Sequence, residues 1–139
     1  MEALWRRLVF NILISNTDDH LRNQGFLYEG QAGWRLSPAY DLNPVPTDIK
    51  PRILSTAIDE DDNKASLALA MEVARYFELD DGKARDVAKQ VGKAVSKWRD
   101  EAARHGLAKG EIERTSSAFE HDDLKAADYF VHGPRRKRS

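Results

Sequence analysis

The sequence predicts an α+β fold that is mostly α-helical and contains one small β-hairpin. Three observations predict this class: apolar residues recur at helical spacing in residues 2–15, two short aromatic-rich runs flank a glycine-bearing turn in residues 25–36, and helical stripes return between residues 67 and 130. The chain has 139 residues, enough for one domain with a sizeable core. The sequence has no internal repeat at a fixed period, so it does not predict a solenoid.

Composition excludes several classes of protein. Charged residues make up 32% of the chain and apolar residues 41%, which is ordinary for a globular protein and argues against wholesale disorder. The net charge of -1 gives no global attraction to nucleic acid or anionic membranes. The chain contains no cysteine, which excludes disulfides, thiolate metal sites and a cysteine nucleophile.

The sequence carries no signal for insertion into a membrane. It has no run of eighteen or more apolar residues, and the opening MEALWRRLVF places its charges inside the apolar pattern instead of before it. We therefore expect neither a membrane span nor a signal peptide. The expected localisation is the cytoplasm, which also accounts for the lack of cysteine.

The first element is a core-facing helix from Glu2 to Ser15 that ends near Asn16. Its apolar stripe, with Arg6 and Arg7 on the other side, consists of Leu4, Trp5, Leu8, Val9, Ile12 and Leu13. Asn11 lies among these apolar positions, and a buried Asn must find partners. It either braces the following loop or is an ordinary core or exposed residue.

The next element is the predicted hairpin. Its strands are Gly25–Tyr28 and Trp34–Leu36. Asp41 follows on an ordered loop, because Pro44 and Pro46 exclude a regular helix or a central strand there. Residues 53–58 form either one more short strand or buried coil.

Helices are predicted for most of the remaining chain. Asn63 is the expected cap of the first, whose stripe consists of Leu67, Ala70, Met71, Ala74 and Phe77. Asp80 or Asp81 begins the second, which is expected to end by Gly106 with a stripe of Ala84, Val87, Ala88, Val91, Val95 and Trp98.

Two further helices are predicted at residues 109–119 and 122–130. The segment 133–139, GPRRKRS, has nothing to bury and is expected to be a disordered basic tail. The sequence therefore divides into a folded domain, 1–132, and this tail.

Polar residues at both ends of the hairpin point to phosphoryl transfer. Protein kinases need a carboxylate near the attacking hydroxyl and oxygen ligands for magnesium: an Asp, an Asn after four intervening residues, and a second Asp on a later loop. Asp18, Asn23 and Asp41 have this order. Asp18 would be the catalytic base, and Asn23 with Asp41 would hold the metal. The ordinary alternatives are an Asx turn at Asp18 and a turn residue at Asp41.

The spacing Asp18-x-His20-x-x-Asn23, joined to Leu36-Ser37-Pro38-Ala39-Tyr40-Asp41-Leu42, resembles the HipA-like family of serine/threonine kinases. The resemblance runs roughly from Leu4 to Tyr129 and is densest in residues 11–46. It implies a protein-kinase-like C-terminal lobe, with ATP- and magnesium-dependent transfer of phosphate to protein Ser or Thr. Carried over by position, it assigns Asp18, Asn23 and Asp41 the same roles.

Two more residues belong to the predicted site. His20 could contact the transferred phosphate or hold the loop by hydrogen bonds, and we place it with the catalytic residues. Arg22 could neutralise phosphate charge in the nucleotide-binding set, or it could be a solvated loop residue.

The resemblance also implies partners. HipA-like proteins are toxins of toxin-antitoxin modules, neutralised by a helix-turn-helix antitoxin that brings the complex to operator DNA. We therefore expect DNA contact only through the antitoxin, together with a protein substrate. No G-x-G-x-x-G loop occurs, and no Val-Ala-x-Lys strand precedes Asp18. We expect a C-terminal piece of a larger kinase that lacks its N-terminal ATP-binding half and turns ATP over weakly or not at all.

Two other functions stay open. One is a non-catalytic helical module that docks an antitoxin or another partner, and the other is a lipid-kinase-like or small-molecule phosphotransferase. The remaining polar clusters are not motifs: residues 59–63 begin like a calcium loop, but Lys64 and Ala70 replace the required Gly and Glu. Residues 120–123 are interpreted as helix-start charge.

Overall fold

A computed structural model of the chain describes residues 1–132. Within this range the fold is mostly helical with one two-stranded antiparallel sheet, so the predicted class is confirmed. The elements are α1 (Glu2–Leu13), β1 (Phe26–Tyr28), β2 (Trp34–Leu36), α2 (Leu67–Val73), α3 (Asp81–Val95), α4 (Trp98–Arg104), α5 (Lys109–Phe119) and α6 (Asp122–His132).

Helix α1 lies at the centre of the core. It packs against α2, α3 and α6, and four of its predicted stripe residues are fully buried: Trp5, Val9, Ile12 and Leu13. Each such side chain contributes about 1.5–3 kcal/mol by leaving water. The indole Nε1 of Trp5 donates to the backbone O of Ala70 at 2.9 Å, so its one polar group is also satisfied. A helix held this firmly gives the following loop a fixed starting point.

The hairpin forms where it was predicted, with Phe26 opposite Leu36 and Tyr28 opposite Trp34. A 3₁₀ turn at Gly30–Ala32 connects the strands, and Gly33 has φ 86°, a left-handed conformation that suits glycine. Tyr28 is 65% exposed and Trp34 is 69% exposed, and their rings pack with centroids 5.1 Å apart. Aromatic residues of the hairpin therefore face solvent in this chain.

Residues 53–58 form coil and not a strand. Ile53 makes a single antiparallel bridge with Lys64, and Leu54 is buried. The expected cap at Asn63 is wrong, because the backbone O of Asn63 accepts from the N of Leu54 at 2.7 Å in this bridge. Ser66 caps α2 instead, with its Oγ accepting from the N of Leu69 at 3.3 Å. A 3₁₀ turn at Ala74–Phe77 follows α2.

The single helix expected from Asp80 to Gly106 is also wrong in part. Asp80 caps α3 as predicted, with its Oδ1 accepting from the N of Lys83 at 2.8 Å. The helix then ends at Val95, and α4 begins separately at Trp98. Trp98 leaves the stripe of α3 and stacks on Phe119 of α5, with ring centroids 4.4 Å apart and planes 5° from parallel.

Helix α5 has the predicted bounds, and α6 runs two residues past the predicted end at Phe130. Within residues 1–132, no helix is long and apolar enough to cross a membrane. The predicted basic tail, 133–139, lies outside the described residues.

Candidate active site

The loop after α1 is built into the core. Ser15, Asn16 and Thr17 are at most 1% exposed, although all three are polar. The backbone N of Asn16 donates to the O of Asn11 at 2.8 Å, which ties the loop to the last turn of α1. Ser15 has φ 55°, an uncommon left-handed conformation for a residue other than glycine. The chain therefore leaves the helix in one defined direction.

Asp18 and Asp19 are neighbours with opposite surroundings. Asp18 is exposed, and its carboxylate has no hydrogen-bond or ion-pair partner among the described residues. Asp19 accepts from Nδ2 of Asn11 at 2.8 Å and from Nε2 of Gln24 at 3.0 Å. The carboxylate of Asp18 is thus open to solvent, while both oxygens of Asp19 already accept hydrogen bonds.

Asn23 and Asp41 meet at the base of the hairpin. Nδ2 of Asn23 donates to Oδ2 of Asp41 at 2.8 Å, across 18 positions of sequence. Asn23 is only 5% exposed, so this contact satisfies a buried amide. The hairpin therefore does bring together the two residues that the sequence placed at its two ends.

The backbone of Asp41 has φ 56°, again in the left-handed region. Its other carboxylate oxygen, Oδ1, accepts from Nδ2 of Asn43 at 2.8 Å. The preceding residue, Tyr40, donates its hydroxyl to the backbone O of Arg22 at 2.7 Å. These contacts hold the Asp41 loop against the Asn23 loop, and a strained backbone held in this way is typical of functional sites.

The structure places His20 and Arg22 differently from the other predicted residues. His20 lines a cavity of about 280 Å³ together with Leu21, Phe26, Thr56 and other residues, and its Nδ1 is buried without a partner in the described part of the chain. Its backbone N donates to Oδ1 of Asn23 at 3.4 Å, so His20 contacts a predicted metal ligand through its backbone. Arg22 is exposed, and its guanidinium has no partner within residues 1–132.

The donor set at the hairpin base fits a hard cation. Asn23 offers a neutral amide oxygen and Asp41 a carboxylate, and magnesium in phosphoryl-transfer sites is held by one or two such groups while waters and phosphates complete its shell. The described residues contain no group of three or more His, Cys, Asp or Glu that could hold a metal. Asn23 and Asp41 alone would leave most positions of a magnesium shell to other ligands.

Sequence reasoning missed the polar residues that hold the two loops. Arg7 lies between them: its Nη1 donates to Oε1 of Gln24 at 3.1 Å, and its Nη2 donates to the backbone O of Ser37 at 2.6 Å. Asn11, in contrast, could be named from its place in the apolar stripe as one residue that braces the loop. Its Nδ2 donates to Asp19 as described, and its Oδ1 accepts from Nδ2 of Asn16 at 3.0 Å.

The coil at 53–58 supports the same loop from its other side. The N and Oγ of Ser55 both donate to the backbone O of Thr17, at 3.0 and 2.9 Å. Oγ1 of Thr56 donates to the backbone O of Asp19 at 2.8 Å. The backbone of the Asp18 loop is therefore fixed on both sides of Asp18.

The chain is similar in sequence to known proteins over part of its length. Among curated proteins, the chain is similar to one from Sinorhizobium fredii (strain NBRC 101917 / NGR234) that carries the name Putative kinase Y4dM, with 54% identity over 37 residues. These residues are 27% of this chain and 9% of that protein, so the match spans a small part of the relative. No solved structure matches the chain. The HipA-like C-terminal domain family matches residues 1–98 of the 139. Because this match covers more than half of the chain, the chain belongs to the HipA-like C-terminal domain family.

Proposed function

We propose that this chain is the catalytic lobe of a HipA-like serine/threonine protein kinase, which transfers phosphate from magnesium-bound ATP to a protein hydroxyl. The observation that carries the proposal is the 2.8 Å contact between Asn23 and Asp41. It joins the side-chain amide of Asn23, whose nitrogen donates, to the carboxylate of Asp41 from a separate loop, and the free carboxylate of Asp18 lies in the same loop as Asn23. Family membership supports the same assignment.

In this proposal Asp18 orients the substrate hydroxyl and takes its proton. The hydroxyl oxygen forms a bond to the γ-phosphorus, and the bond from that phosphorus to the bridging oxygen of ADP breaks. A base in this role must be able to reach its substrate and must not be engaged elsewhere. Asp18 is exposed and free of partners in the described residues, whereas Asp19 accepts two amide hydrogen bonds.

Asn23 and Asp41 would hold the magnesium ion. Asn23 now points its Nδ2 at Asp41, and its Oδ1 accepts from the backbone N of His20 at 3.4 Å. A rotation of the amide by half a turn would give up that long contact and present Oδ1 beside the Asp41 carboxylate. ATP would supply the transferable phosphoryl group, and the magnesium bound to it would neutralise part of the phosphate charge. Arg22, an exposed cation in the same loop, is available to contact phosphate oxygens.

Further nucleotide contacts would come from outside this sequence, because it contains neither a glycine-rich loop nor the usual strand lysine. The exposed aromatic hairpin is the surface onto which we propose that the ATP-binding half docks, since the hairpin connects the two loops that hold the metal ligands. The proposal also includes a toxin role, a helix-turn-helix antitoxin as partner, indirect contact with operator DNA and a cytoplasmic location. These four parts rest on the family alone.

Titration of the full chain with magnesium and ATP, measured by calorimetry, tests the proposal. Wild type should bind, and Asp41→Asn, which keeps the shape but removes the charge, should weaken binding at least about tenfold. Asp18→Ala should leave binding nearly unchanged, because its role begins with the substrate. Asp86→Asn is the matched control, since Asp86 is an exposed carboxylate of α3. Equal binding by wild type and Asp41→Asn would contradict the proposal.

A second function, a non-catalytic docking module, is favoured by one observation. Phe26, Tyr28 and Trp34 are 56–69% exposed on a short hairpin, and exposed aromatic residues are enriched at protein interfaces. A module of this kind would bind its protein partner equally well after Asp18→Ala and Asp41→Asn, and would lose it after Trp34→Ser. Magnesium-dependent ATP binding that is lost in Asp41→Asn would favour the kinase.

A further inference from the structure

Four side chains form a continuous polar chain beneath the candidate site, and we call them the bracing network: Arg7, Asn11, Asp19 and Gln24. Asn11 donates to Asp19 at 2.8 Å, Gln24 donates to Asp19 at 3.0 Å, and Arg7 donates to Gln24 at 3.1 Å. The far end of Arg7 donates to the backbone O of Ser37 at 2.6 Å. Helix α1 thereby contacts every segment that carries a candidate site residue.

The position of this network in the sequence gives it a function. Asp19 directly follows the proposed base Asp18, and Gln24 directly follows the proposed ligand Asn23. Ser37 lies at the end of β2, four residues before Asp41. The network therefore anchors the residues directly after Asp18 and Asn23, and a third point four residues before Asp41.

In the bracing network each hydrogen-bond donor faces an acceptor. The carboxylate of Asp19 uses both oxygens as acceptors, and the amides of Asn11 and Gln24 supply the donors. Asn11 is 1% exposed, so its amide would lose its partner if Asp19 moved. An amide left unpaired in this way is costly, and the loop is correspondingly hard to displace.

We propose that Asn11 and Asp19 are positioning residues, which hold the loop so that Asn23 faces Asp41 while Asp18 stays free for substrate. The proposal rests on the proposed kinase function for its purpose, but its geometry can be tested without any ligand. Groups that orient metal ligands commonly change affinity by about 10–100-fold when they are removed. A side chain that only stabilised the fold would leave the contact between Asn23 and Asp41 intact.

A swap of the two residues is the sharpest test. Asn11→Asp alone puts two carboxylates face to face and breaks the network. The double variant Asn11→Asp/Asp19→Asn reverses donor and acceptor, and it can restore the bond between positions 11 and 19 as well as those from Asn16 and Gln24. We measure the NMR shift and hydrogen exchange of the Asn23 side-chain amide in the ligand-free full chain, and then its affinity for magnesium with ATP.

We expect the single variant to raise exchange of the Asn23 amide and to weaken magnesium-ATP binding, each by about tenfold or more, and the double variant to recover most of both. Arg7→Met removes the half-buried arginine end of the network and should shift the Asn23 amide in the same direction. Arg6→Met is its matched control, since Arg6 contacts Glu2 and Gln90 instead.

The two proposals fail in different ways. If wild type binds no magnesium-ATP, the kinase function is wrong, and the Asn23 amide signal still decides the positioning role. If Asn11→Asp and Arg7→Met lower stability but leave that signal unchanged, the positioning role is wrong. A folded double variant that does not recover the wild-type signal would also overturn it.

Discussion

Arg52 and Asp123 form an ion pair, with Nη1 of Arg52 2.6 Å from Oδ2 of Asp123 and both side chains 18% exposed. Nη2 of Arg52 also donates to the backbone O of Ile12 at 2.8 Å, at the end of α1 where carbonyl groups lack helical partners. Oδ1 of Asp123 accepts from the N of Leu67 at 2.8 Å, at the start of α2. One pair therefore joins three helices behind the candidate site.

Neutralising Asp123 should destabilise the fold. Asp123→Asn keeps the shape and the acceptor for Leu67 but removes the charge opposite Arg52, so we expect a loss of about 1–3 kcal/mol in the free energy of unfolding. The control is Asp122→Asn, because that neighbouring side chain is fully solvent-exposed and should cost less than about 0.5 kcal/mol. Urea unfolding measures both, and equal losses would contradict the assignment.

The packing of α3 on α6 predicts opposite effects for two glycines. A Cβ at Gly92 would lie 2.7 Å from the Cβ of Ala127, so Gly92→Ala should destabilise by about 1–3 kcal/mol despite a better helix propensity. At Gly110 of α5 the nearest atom would be Nη1 of Arg114 at 3.8 Å, and Gly110→Ala should stabilise by about 0.5–1 kcal/mol. Ala127→Gly should recover stability in the Gly92→Ala background. Thermal unfolding that shifts both single variants in one direction would refute this packing.

His121 predicts a pH dependence of stability. Its Nε2 lies 2.9 Å from the backbone O of Leu13, and its Nδ1 accepts from the N of Leu124 at 3.3 Å, so the neutral ring with its proton on Nε2 fits both contacts. Burial, followed by the charge of Arg52, lowers the pKa of His121 from its ordinary value of 6.5. The unfolded chain then binds this proton more readily than the folded one.

The stabilising contribution of His121 is therefore fully present above pH 6.5 and is lost as the pH falls from there toward the lowered folded pKa. His121→Gln keeps a donor for Leu13 but does not titrate, so its free energy of unfolding should fall less over this range than that of wild type. The measurement is urea unfolding at several pH values. Parallel curves for the two proteins would show that His121 does not contribute.

The left-handed backbone of Asp41 predicts a difference between two variants that both lack the carboxylate. At φ 56° alanine is strained and glycine is not, so Asp41→Gly should be more stable than Asp41→Ala by about 1 kcal/mol. Neither variant should bind magnesium-ATP. Unfolding free energies test the first statement, and an alanine variant as stable as the glycine variant would show that the strain is absent.

Local signals were sufficient for α1, the hairpin, α5 and α6. In each, the spacing of apolar residues or a glycine turn specifies the element within a few neighbouring positions. The break between α3 and α4 could not be predicted in this way, because the apolar stripe continues to Trp98. What decides it is the stacking of Trp98 on Phe119, a contact across 21 positions that no local pattern contains. Asn63 failed as a cap for a similar reason, since its backbone pairs with Leu54.

The site shows the same division. Asp18, Asn23 and Asp41 could be chosen by order and spacing, and the structure does bring Asn23 to Asp41. The sequence could not predict that Asp18 is exposed while Asp19 is hydrogen-bonded, because this difference depends on which side of the loop faces α1. Likewise, residues 120–123 were interpreted as helix-start charge, and the pairing of Asp123 with Arg52 needs contacts over 71 positions.

The most direct test of the central claim is paramagnetic NMR of the full chain with manganese, in place of magnesium, and ATP. Broadening falls steeply with distance from the ion, so it reports which residues surround the metal. We predict that the amide signals of Asn23 and Asp41, followed by Asp18, broaden first, and that Asp41→Asn removes the effect. Broadening centred on the acidic loop at 59–62, with Asn23 and Asp41 unaffected, would contradict the account.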